Sequence, residues 1–532
     1  MTSFRARAVV TGARLRLAAV SCVTCAVAAL GCSSDEASNG GAPPVVDGGN
    51  GADDGASPTR DATAAMDADG VAPPVHGLRA EYFFEYMDLA LQRIEATLDQ
   101  SWDTAPPSVA VGRTRFSARW TGTLVPRVTG AHKIITQSDD GIRVWIDGVR
   151  VIDDFTGHLV TRDTATVKLE AGVPVSIRVD YFQLDLGASA RLLWSAVGAG
   201  LAEEVIPTKN LLAAAASSGL RGPKPPYTNP VVPFDCPDPG VIAVPANGGT
   251  DYDLVCTGGT FPIRTSRGLV FWRDTGDAII PGGKPPWAAN GNRNWAPEIH
   301  AVGAGFVAYF TSVNAADVLS IGAAHAANAR GPYTDIGHAL VEAAAGVIDA
   351  TFFEDDDGSR WLFYKIDGNS RGMPTPIFAR RLAPDGLSFA AGSQPKQVLV
   401  NDPQSWEGGV VEAPWVVKRA GVYYLFYSGN VYDYRYRTGV ARAQKVDDAY
   451  VKHGAPILAN SARWVGPGHG SVAVANAKDY WVYHAWENAG NGTNGAGRFI
   501  LVDRIDWVSG WPQIHGGTPS DTPQPWPGED AL

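Results

Sequence analysis

The sequence has few charged residues and no excess of basic ones. Asp, Glu, Lys and Arg make up 19% of the 532 residues, and 44 basic against 55 acidic side chains give a net charge of −11. A nucleic-acid binder usually presents a basic face, so this balance argues against a nucleic-acid partner. Helical periodicity is nearly absent, whereas 60 glycines, 37 prolines and 10% aromatic residues are present. This composition indicates an extracellular, turn-rich β protein that handles a neutral ligand such as carbohydrate.

Cysteine is also scarce, and its placement argues against a zinc site. Of the five cysteines, Cys22 and Cys25 lie in an apolar N-terminal run and Cys32 directly follows it. No CxxC pair or His-rich spacing accompanies the remaining Cys236 and Cys256, as a zinc site would require. In an oxidising compartment these two are candidates for a disulfide that closes a loop and stabilises the fold by about 3 kcal/mol. Two buried thiols are the alternative.

The N-terminus lacks a hydrophobic run long enough for a confident membrane span. Four arginines precede a shorter apolar run over residues 17–30, which predicts that residues 1–31 are an export signal. The run ends in Ala29-Leu30-Gly31-Cys32, a sequence that resembles a bacterial lipobox. The resemblance implies a lipid on Cys32 and attachment to a membrane through that lipid alone. Ordinary signal cleavage, with Cys32 incidental, is the alternative.

The next segment has the composition of a tether. Residues 33–74 contain no Trp, Tyr, Phe, Leu or Ile, and they carry eight acids against one base, Arg60. Such a segment cannot bury enough apolar surface to fold. Residues 32–75 are therefore predicted to be a flexible acidic linker with a span on the order of 35 Å. The predicted location is the bacterial cell envelope, after export.

Residues 76–212 are predicted to form the first folded unit. Strand-like alternation recurs through it, for example over residues 114–120, 131–137 and 176–182, and Asp-Gly turns separate some of the strands. Several short strands with turn signals between them favour a β-sandwich. Residues 213–224 are predicted to link this unit to the next.

Four phrases of this unit resemble the carbohydrate-associated domain named after anthrax protective antigen. Relatives that bind sugars hold calcium with a consecutive Asp pair, and Asp139-Asp140 occupies that position. The resemblance thus implies a calcium-dependent carbohydrate site at these carboxylates, which are suitable hard ligands. A hairpin turn is the alternative, since Asp-Gly is a common tip sequence. The phrases span residues 77–83 (GLRAEYF), 116–122 (FSARWTG), 138–148 (SDDGIRVWIDG) and 193–195 (LWS).

The rest of the chain contains a fivefold repeat. An aromatic, strand-forming phrase begins at Tyr252, Phe306, Trp361, Tyr423 and Tyr480, at spacings of 54, 55, 62 and 57 residues. A repeat of about 50 residues suits a four-stranded propeller blade with its loops. Residues 225–520 are therefore predicted to form a five-bladed β-propeller and residues 521–532 a C-terminal tail. The predicted fold class is all-β.

Each repeat has one ionisable residue, among apolar or turn neighbours, ahead of its aromatic phrase. Because the innermost strands of a propeller line its axis, a similar phase in each blade would bring all five groups into one axial pocket. Burying several acids raises their pKa values unless they are paired, and two carboxylates with pKa values pushed apart can act as acid and base. Five satisfied polar groups that seal a channel are the structural alternative. The five residues are Asp238, Glu298, Asp349, Glu412 and His469.

This region resembles glycoside hydrolase family 43 over nearly all of residues 225–520. The resemblance implies an inverting glycosidase on a five-bladed fold, a blade number that the repeat count gives independently. The supporting phrases are residues 237–239 (PDP), 295–300 (WAPEIH), 347–353 (VIDATFF), 411–415 (VEAPW), 466–471 (GPGHGS) and 510–512 (GWP).

By motif, the resemblance assigns three catalytic acids. Asp238 corresponds to the general base that activates water, and Glu412 to the general acid that protonates the leaving oxygen. Asp349 corresponds to the acid that orients Glu412 and, as a nearby anion, favours its protonated form. An inverting pair needs room for water, which predicts a carboxyl separation of roughly 6.5–9.5 Å between Asp238 and Glu412. No cofactor is implied for this chemistry.

Four more residues are candidate substrate contacts in the same pocket. The indole of Trp295 is predicted to stack on a sugar ring, with core packing as the alternative. Arg498 is predicted to reach a substrate hydroxyl or an active-site acid, and a solvated strand-edge charge is the alternative. The phrase around His469 resembles one that places calcium near the pocket floor, and a hydrogen-bonded axial His is the alternative. Glu298 is expected on the pocket wall.

The resemblance implies a substrate class but leaves other classes of protein open. It implies hydrolysis of α-L-arabinofuranosyl bonds, and next of β-D-xylosyl bonds, in plant polysaccharides or their fragments. A surface lectin that binds glycan without cleaving it is the first alternative, although the presence of all three acids counts against it. A purely structural adhesin is the second.

Overall fold

The computed structural model describes residues 74–216, 221–246 and 249–529. All of them belong to one compact unit, residues 70–532. The predicted export signal, the lipidation site Cys32 and nearly all of the acidic linker lie outside the described residues. Within the described ranges, no helix is long and apolar enough to cross a membrane.

The protein is nearly all-β, which confirms the predicted class. The described ranges contain 32 strands and only four 3-10 helices of three residues each. The short helices are Val197–Ala199, Thr208–Asn210, Asn369–Arg371 and His515–Gly517.

Residues 78–213 form two antiparallel sheets. The strands of the first sheet are β1 (Leu78–Phe84), β2 (Asp88–Glu95), β4 (Phe116–Leu124), β6 (Ile142–Ile146), β7 (Val149–Asp154), β9 (Val175–Gln183) and β12 (Leu211–Ala213). Their order is β2-β1-β4-β9-β6-β7, and β12 pairs with β4. The strands of the second sheet are β3 (Asp99–Ser101), β5 (Gly130–Asp139), β8 (Thr161–Leu169), β10 (Ser189–Ala196) and β11 (Leu201–Val205). Their order is β11-β10-β5-β8, and β3 pairs with β10.

The two sheets share one apolar core. Trp120 of β4 and Trp194 of β10 are fully buried in it. Glu95 is a buried polar residue whose carboxylate accepts hydrogen bonds from the Trp120 indole and the Tyr82 hydroxyl, both at 2.7 Å. A buried acid needs such partners, so this carboxylate is part of the structure of the core.

Residues 240–514 form five four-stranded antiparallel sheets, each with its strands in sequence order. The first is β13 (Gly240–Ala246), β14 (Gly249–Val255), β15 (Pro262–Ser266) and β16 (Arg273–Ala278). The second is β17 (Trp295–Val302), β18 (Gly305–Val313), β19 (Leu319–Ala326) and β20 (Thr334–Asp335). The third is β21 (Val347–Glu354), β22 (Arg360–Ile366), β23 (Ile377–Arg381) and β24 (Lys396–Leu399). The fourth is β25 (Val411–Arg419), β26 (Val422–Gly429), β27 (Arg437–Ala443) and β28 (Val451–Lys452). The fifth is β29 (Trp464–Ala475), β30 (Lys478–Asn488), β31 (Asn494–Val508) and β32 (Trp511–Ile514).

The repeated aromatic phrase is the second strand of each sheet. Most residues of β18 and β26 are buried, which explains their continuous apolar character: a strand covered on both faces does not alternate. Apolar cores fill the spaces between consecutive sheets, and one core joins Leu254 of the first sheet to Val482 of the fifth. Each sheet's first strand also contacts the first strand of the next sheet, and β29 contacts β13.

Candidate active site

The first strands of the five sheets begin with a shared backbone irregularity. In β17, β21, β25 and β29 the pairing with the second strand shifts register near the start of the strand. One residue at this point, or just before β13 in the first sheet, has a positive φ. Non-glycine residues rarely adopt this conformation, and it clusters at functional sites. These residues are Asp238 (57°), Ala296 (43°), Asp349 (57°), Ala413 (55°) and His469 (39°).

A cavity of about 240 Å³ lies beside these strand starts. Its size is near the lower end of ligand sites in proteins. The three predicted catalytic acids line it, together with three of the four predicted substrate contacts. The lining residues predicted from the sequence are Asp238, Asp349, Glu412, Trp295, His469 and Arg498. Thr257, Ile348, Asp367, Asn369 and Tyr432 complete the lining.

Asp238 is surrounded by hydrogen-bond donors and positive charge. Its Oδ1 lies 3.1 Å from Nη1 of Arg498 and 3.3 Å from Nδ1 of His469. Its Oδ2 accepts a hydrogen bond from the Thr257 hydroxyl at 2.6 Å. Burial alone would raise the pKa of Asp238, but Arg498 and His469 hold it well below its ordinary value. Asp238 is therefore an ionised carboxylate near neutral pH.

A lysine and a tyrosine hold Glu412. The Lys365 ammonium on β22 donates to Oε2 at 2.8 Å, and the Tyr436 hydroxyl donates to Oε1 at 2.7 Å. The Lys365 side chain has no exposed surface, and it also contacts Asp367 at 3.0 Å and Asn369 at 3.1 Å. Burial alone would lower the pKa of Lys365, but Glu412 and Asp367 raise it, so the lysine is cationic. These contacts fix the Glu412 carboxyl in one orientation.

Asp349 is the acid of the cavity whose pKa is raised, which favours its neutral form. It is 7% exposed, and its Oδ2 accepts the Ala413 N–H at 3.0 Å, one residue beyond Glu412. Burial and the charge of Glu412 raise the pKa of Asp349 to about 7, against the opposing effect of His469. Asp349, which the sequence analysis treats as an anion beside Glu412, is therefore partly protonated near neutral pH.

Two histidines sit beside Asp238 in opposite charge states. Burial would lower the pKa of His469, but Asp238 and Asp349 raise it to about 9. For His484, burial and the Arg498 charge lower the pKa well below its ordinary value. Its Nδ1 accepts the Asp238 N–H at 3.1 Å. The site therefore combines a cationic His469 with a neutral His484.

Arg498 and Trp295 occupy the positions expected of substrate contacts. Arg498 is half-buried, and its guanidinium lies over the rings of Tyr432 at 5.4 Å and Trp486 at 5.8 Å. Trp295 is half-buried on the cavity wall. Neither residue is sealed in the core or fully solvated, so both are accessible from the cavity.

Glu298 is the one predicted pocket residue that the structure places elsewhere. The register shift in β17 falls between Trp295 and Glu298, so Glu298 lies two residues beyond the positive-φ position of its strand. Its Oε2 contacts Nε2 of His300 at 2.6 Å, and it does not line the cavity. The prediction that all five ionisable residues occupy equivalent positions on their strands, and so point into one pocket, was wrong for this strand.

A disulfide joins Cys236 to Cys256, with the Cα atoms 5.3 Å apart. Asp238 follows Cys236 by two residues, and Thr257, its hydrogen-bond donor, directly follows Cys256. The cross-link therefore ties together the two backbone segments that position the Asp238 carboxylate.

The acidic pair of the N-terminal sheets lies in a buried turn. Oδ1 of Asp140 accepts a hydrogen bond from the His158 N–H at 3.0 Å, and Oδ2 accepts one from the Leu184 N–H at 2.8 Å. Burial and the neighbouring Asp140 raise the pKa of Asp139. Among the residues of the described ranges, no group of three or more His, Cys, Asp or Glu is arranged to hold a metal. The calcium site at Asp139 and Asp140 stays a prediction.

His469 is paired with a carboxylate of the same site. Its Nδ1 lies 3.3 Å from Oδ1 of Asp238, a contact that fits the hydrogen-bonded histidine of the alternative interpretation. A metal ion at His469 stays a prediction.

Comparison with known proteins places these features in a family. The sequence pattern of glycosyl hydrolases family 43 matches residues 227–512, and that of the PA14 domain matches residues 74–203. The extracellular exo-alpha-(1->5)-L-arabinofuranosidase ArbA of Cellvibrio japonicus is 26% identical over 296 residues, which are 50% of this chain and 83% of that protein. The anti-sigma-I factor RsgI3 of Acetivibrio thermocellus is 34% identical over 137 residues, which are 25% of this chain and 21% of that protein.

A solved structure agrees with the family match. A thermostable family-43 glycoside hydrolase superposes with a TM-score of 0.51 at 27% identity, and the match covers 57% of this chain and 100% of that one. The family-43 match extends over more than half of the sequence. The chain therefore belongs to glycosyl hydrolases family 43, a family of glycosidases, and carries a PA14 domain at its N-terminal side.

Proposed function

We propose that this protein is an inverting glycoside hydrolase that cleaves α-L-arabinofuranosyl bonds, and next β-D-xylosyl bonds, of plant-type polysaccharides or oligosaccharides. The observation that carries the proposal is the convergence on one cavity of Asp238, Asp349 and Glu412, which lie at or just before the first strands of three different sheets. The name of the Cellvibrio japonicus relative, an exo-arabinofuranosidase, supports arabinose ahead of xylose.

We also infer that the five sheets are the blades of a closed propeller and that the two N-terminal sheets form a sandwich. The contact between β29 and β13 supports closure, as does the Val241 N–H, which donates to the Ser471 hydroxyl of the fifth sheet at 3.1 Å. The core that both N-terminal sheets share supports the sandwich. In such a propeller, the cavity lies at one end of the central axis.

Asp238 acts as the general base in the proposed reaction. Its carboxylate accepts a proton from water while the water oxygen attacks the anomeric carbon on the face opposite the leaving oxygen. The low pKa that Arg498 and His469 impose keeps this group ionised, and the hydrogen bond from Thr257 fixes its direction. Positioning of the water, rather than high basicity, is therefore the main contribution of Asp238.

Glu412 acts as the general acid. As the bond between the anomeric carbon and the leaving oxygen breaks, Glu412 passes its proton to that oxygen, and the product hemiacetal has the inverted configuration. The neighbouring Asp349 accepts the Ala413 N–H at 3.0 Å and so fixes the backbone that carries Glu412. Lys365 and Tyr436 hold the Glu412 carboxyl, so Glu412 keeps its orientation when it transfers the proton.

The surrounding groups bind and orient the sugar in this proposal. The Trp295 indole offers an apolar face to a sugar ring, and Arg498 offers N–H donors to its hydroxyls. The PA14 region, with Asp139 and Asp140 as a calcium-dependent site, would hold the polymer. We further propose export and a lipid anchor on Cys32; the extracellular location in the name of ArbA supports export.

The test is release of nitrophenol from nitrophenyl α-L-arabinofuranoside and nitrophenyl β-D-xyloside, compared with the Glu412→Gln variant. The proposal expects turnover of at least one substrate by the wild-type protein and a large loss in the variant, which is isosteric and keeps the Tyr436 contact. Substrates with poor leaving groups should lose more, because they depend more on the general acid. A protein that binds arabinan or xylan without any turnover would instead be the lectin of the alternative hypothesis.

A further inference from the structure

A second and larger cavity, of about 350 Å³, lies between the seven-stranded N-terminal sheet and residues 221–226 and 525–529. None of the residues that line the active-site cavity lines this one. Five arginines and one lysine face it, against two carboxylates, Asp180 and Glu529. The chain as a whole has a net charge of −11, so this concentration of positive charge runs against the overall balance.

The sheet itself arranges the arginines. Asp180 of β9 lies directly opposite Arg119 of β4 and Arg143 of β6. Their neighbours along each strand, such as Val179, pack into the core on the other face of the sheet. Because side chains alternate between the two faces of a strand, these charged groups all project from the outer face. A row of charged residues on three adjacent strands is thus fixed in register.

Four of the arginines form ion pairs with only two carboxylates. Arg119 and Arg178 both donate through Nε and Nη2 to Asp180. Arg143 and Arg150 share Asp153, at 2.6 Å and 3.0 Å. Two positive charges remain in excess in this group. The contacts with Asp180 use Nε and Nη2 of Arg119 and Arg178 and do not involve their Nη1 groups.

Aromatic rings accompany the guanidinium groups in the same cavity. Trp145 and Trp526 line it; Trp526 is buried, whereas Trp145 is half-buried and its ring centroid lies 4.5 Å from the Arg178 guanidinium. Phe155 supports Arg143 in the same way at 4.3 Å. An aromatic face binds the apolar side of a sugar ring, whereas a guanidinium binds a carboxylate through paired hydrogen bonds. This combination suits a ligand that is both a sugar and an anion.

We propose that this cavity is a binding site for the carboxylate-bearing residues of an acidic polysaccharide, that is, for uronic acids. The volume lies within the usual range of ligand sites. The site goes beyond the proposed hydrolytic function, because it recognises a charged sugar that the active-site cavity is not required to cleave. An enzyme that holds an acidic chain here would be retained beside neutral branches of the same polymer, which the active site then attacks.

The experiment is titration calorimetry of the full chain with tetragalacturonate at low ionic strength. The matched neutral probe is the fully methyl-esterified tetramer, which has the same rings without the charges. We expect tetragalacturonate to bind at least about tenfold more tightly than the ester, since hydrogen bonds to charged groups are the strong ones. Arg178→Gln and Arg150→Gln should each weaken binding by a similar factor.

The control variant is Arg162→Gln on the other N-terminal sheet. The Arg162 side chain is 41% exposed and pairs with Glu203, whereas the Arg178 side chain is 43% exposed and pairs with Asp180. The two variants thus change the net charge equally, and Arg162→Gln should leave binding unchanged. Arg150 is 44% exposed, so its variant folds even if Arg178→Gln does not.

Several results would overturn the proposal. These are equal binding of the ester and the acid, equal affinity in all three variants, no binding of tetragalacturonate, or binding only of inorganic phosphate or of phosphatidylglycerol vesicles. The Asp238→Asn variant separates this site from the hydrolytic one: it should lose turnover and keep tetragalacturonate binding. Failure of the glycosidase assay therefore leaves the binding result interpretable, and the reverse also holds.

Discussion

The Asp349→Asn variant should be more stable than the wild-type protein, and increasingly so as the pH rises. Burial raises the pKa of Asp349 to about 7 from an ordinary value of 3.8. Below about pH 4 the acid is protonated in both the folded and the unfolded chain, so it contributes no penalty. Between pH 4 and pH 7 the unfolded chain releases this proton while the folded chain keeps it. Stability is therefore lost as the pH rises through the folded-state pKa.

The size of this effect follows from the pKa difference. At about 1.36 kcal/mol per pKa unit, ionisation of the buried Asp349 lowers the unfolding free energy of the wild-type protein at pH 8 by about 4 kcal/mol. Asparagine cannot ionise, and its side-chain oxygen can still accept the Ala413 N–H. His469 loses the favourable charge of Asp349 in the same variant, which offsets part of the gain. We therefore expect the variant's advantage in unfolding free energy to grow by about 2–4 kcal/mol between pH 4 and pH 8.

The assay is urea unfolding of both proteins at pH 4, 6, 7 and 8, followed by tryptophan fluorescence. Asp356→Asn is the control, because the Asp356 side chain is 83% exposed and pairs with Lys418 at 2.8 Å. Exposed ion pairs contribute about 0–1 kcal/mol, so this variant should track the wild type at every pH. An advantage of Asp349→Asn that stays constant from pH 4 to pH 8 would refute the raised pKa of Asp349.

Three further changes test other parts of the site. Asp238→Asn should lower kcat about 10²–10⁴-fold with the fold intact by circular dichroism, and a loss below about tenfold would remove Asp238 from the base role. Tyr436→Phe deletes one hydrogen bond to Glu412 and should lower kcat by about tenfold or more. Tyr434→Phe, at a ring 39% exposed, should leave kcat unchanged, and equal effects of the two changes would contradict a positioning role for Tyr436. Reduction of the disulfide beside Asp238 should lower the unfolding free energy by about 3 kcal/mol, and equal stability with and without reductant would show that the cross-link is dispensable.

Much of the fold could be predicted because each sheet carries a local signal. The second strand of every sheet is covered on both faces, so its aromatic run is visible without knowledge of its neighbours. Asp238, Asp349 and Glu412 were predicted by their motifs to converge, and all three line the cavity. Their convergence follows from the order of the sheets, since the first strands contact one another from sheet to sheet and the three acids lie at or just before the starts of those strands.

What the sequence did not reveal depends on backbone irregularity and on contacts between sheets. Glu298 shares the apolar surroundings of the other acids, but a register shift in β17 places it beyond the position that points to the cavity. Lys365 interrupts an otherwise aromatic strand, a signal that a buried cation needs an anionic partner. The identity of that partner, Glu412 on the next sheet, is invisible without coordinates.

The central claim is that Asp238 and Glu412 work as an inverting pair on opposite faces of the sugar. The most direct test is proton NMR of the first-formed product during rapid hydrolysis of an aryl α-L-arabinofuranoside or, if that is not a substrate, of an aryl β-D-xyloside. The account predicts the anomer of opposite configuration first, β-L-arabinose or α-D-xylose, before mutarotation mixes the two. Initial release of the anomer with the substrate's own configuration would show a covalent, retaining mechanism and contradict the assignment of both acids.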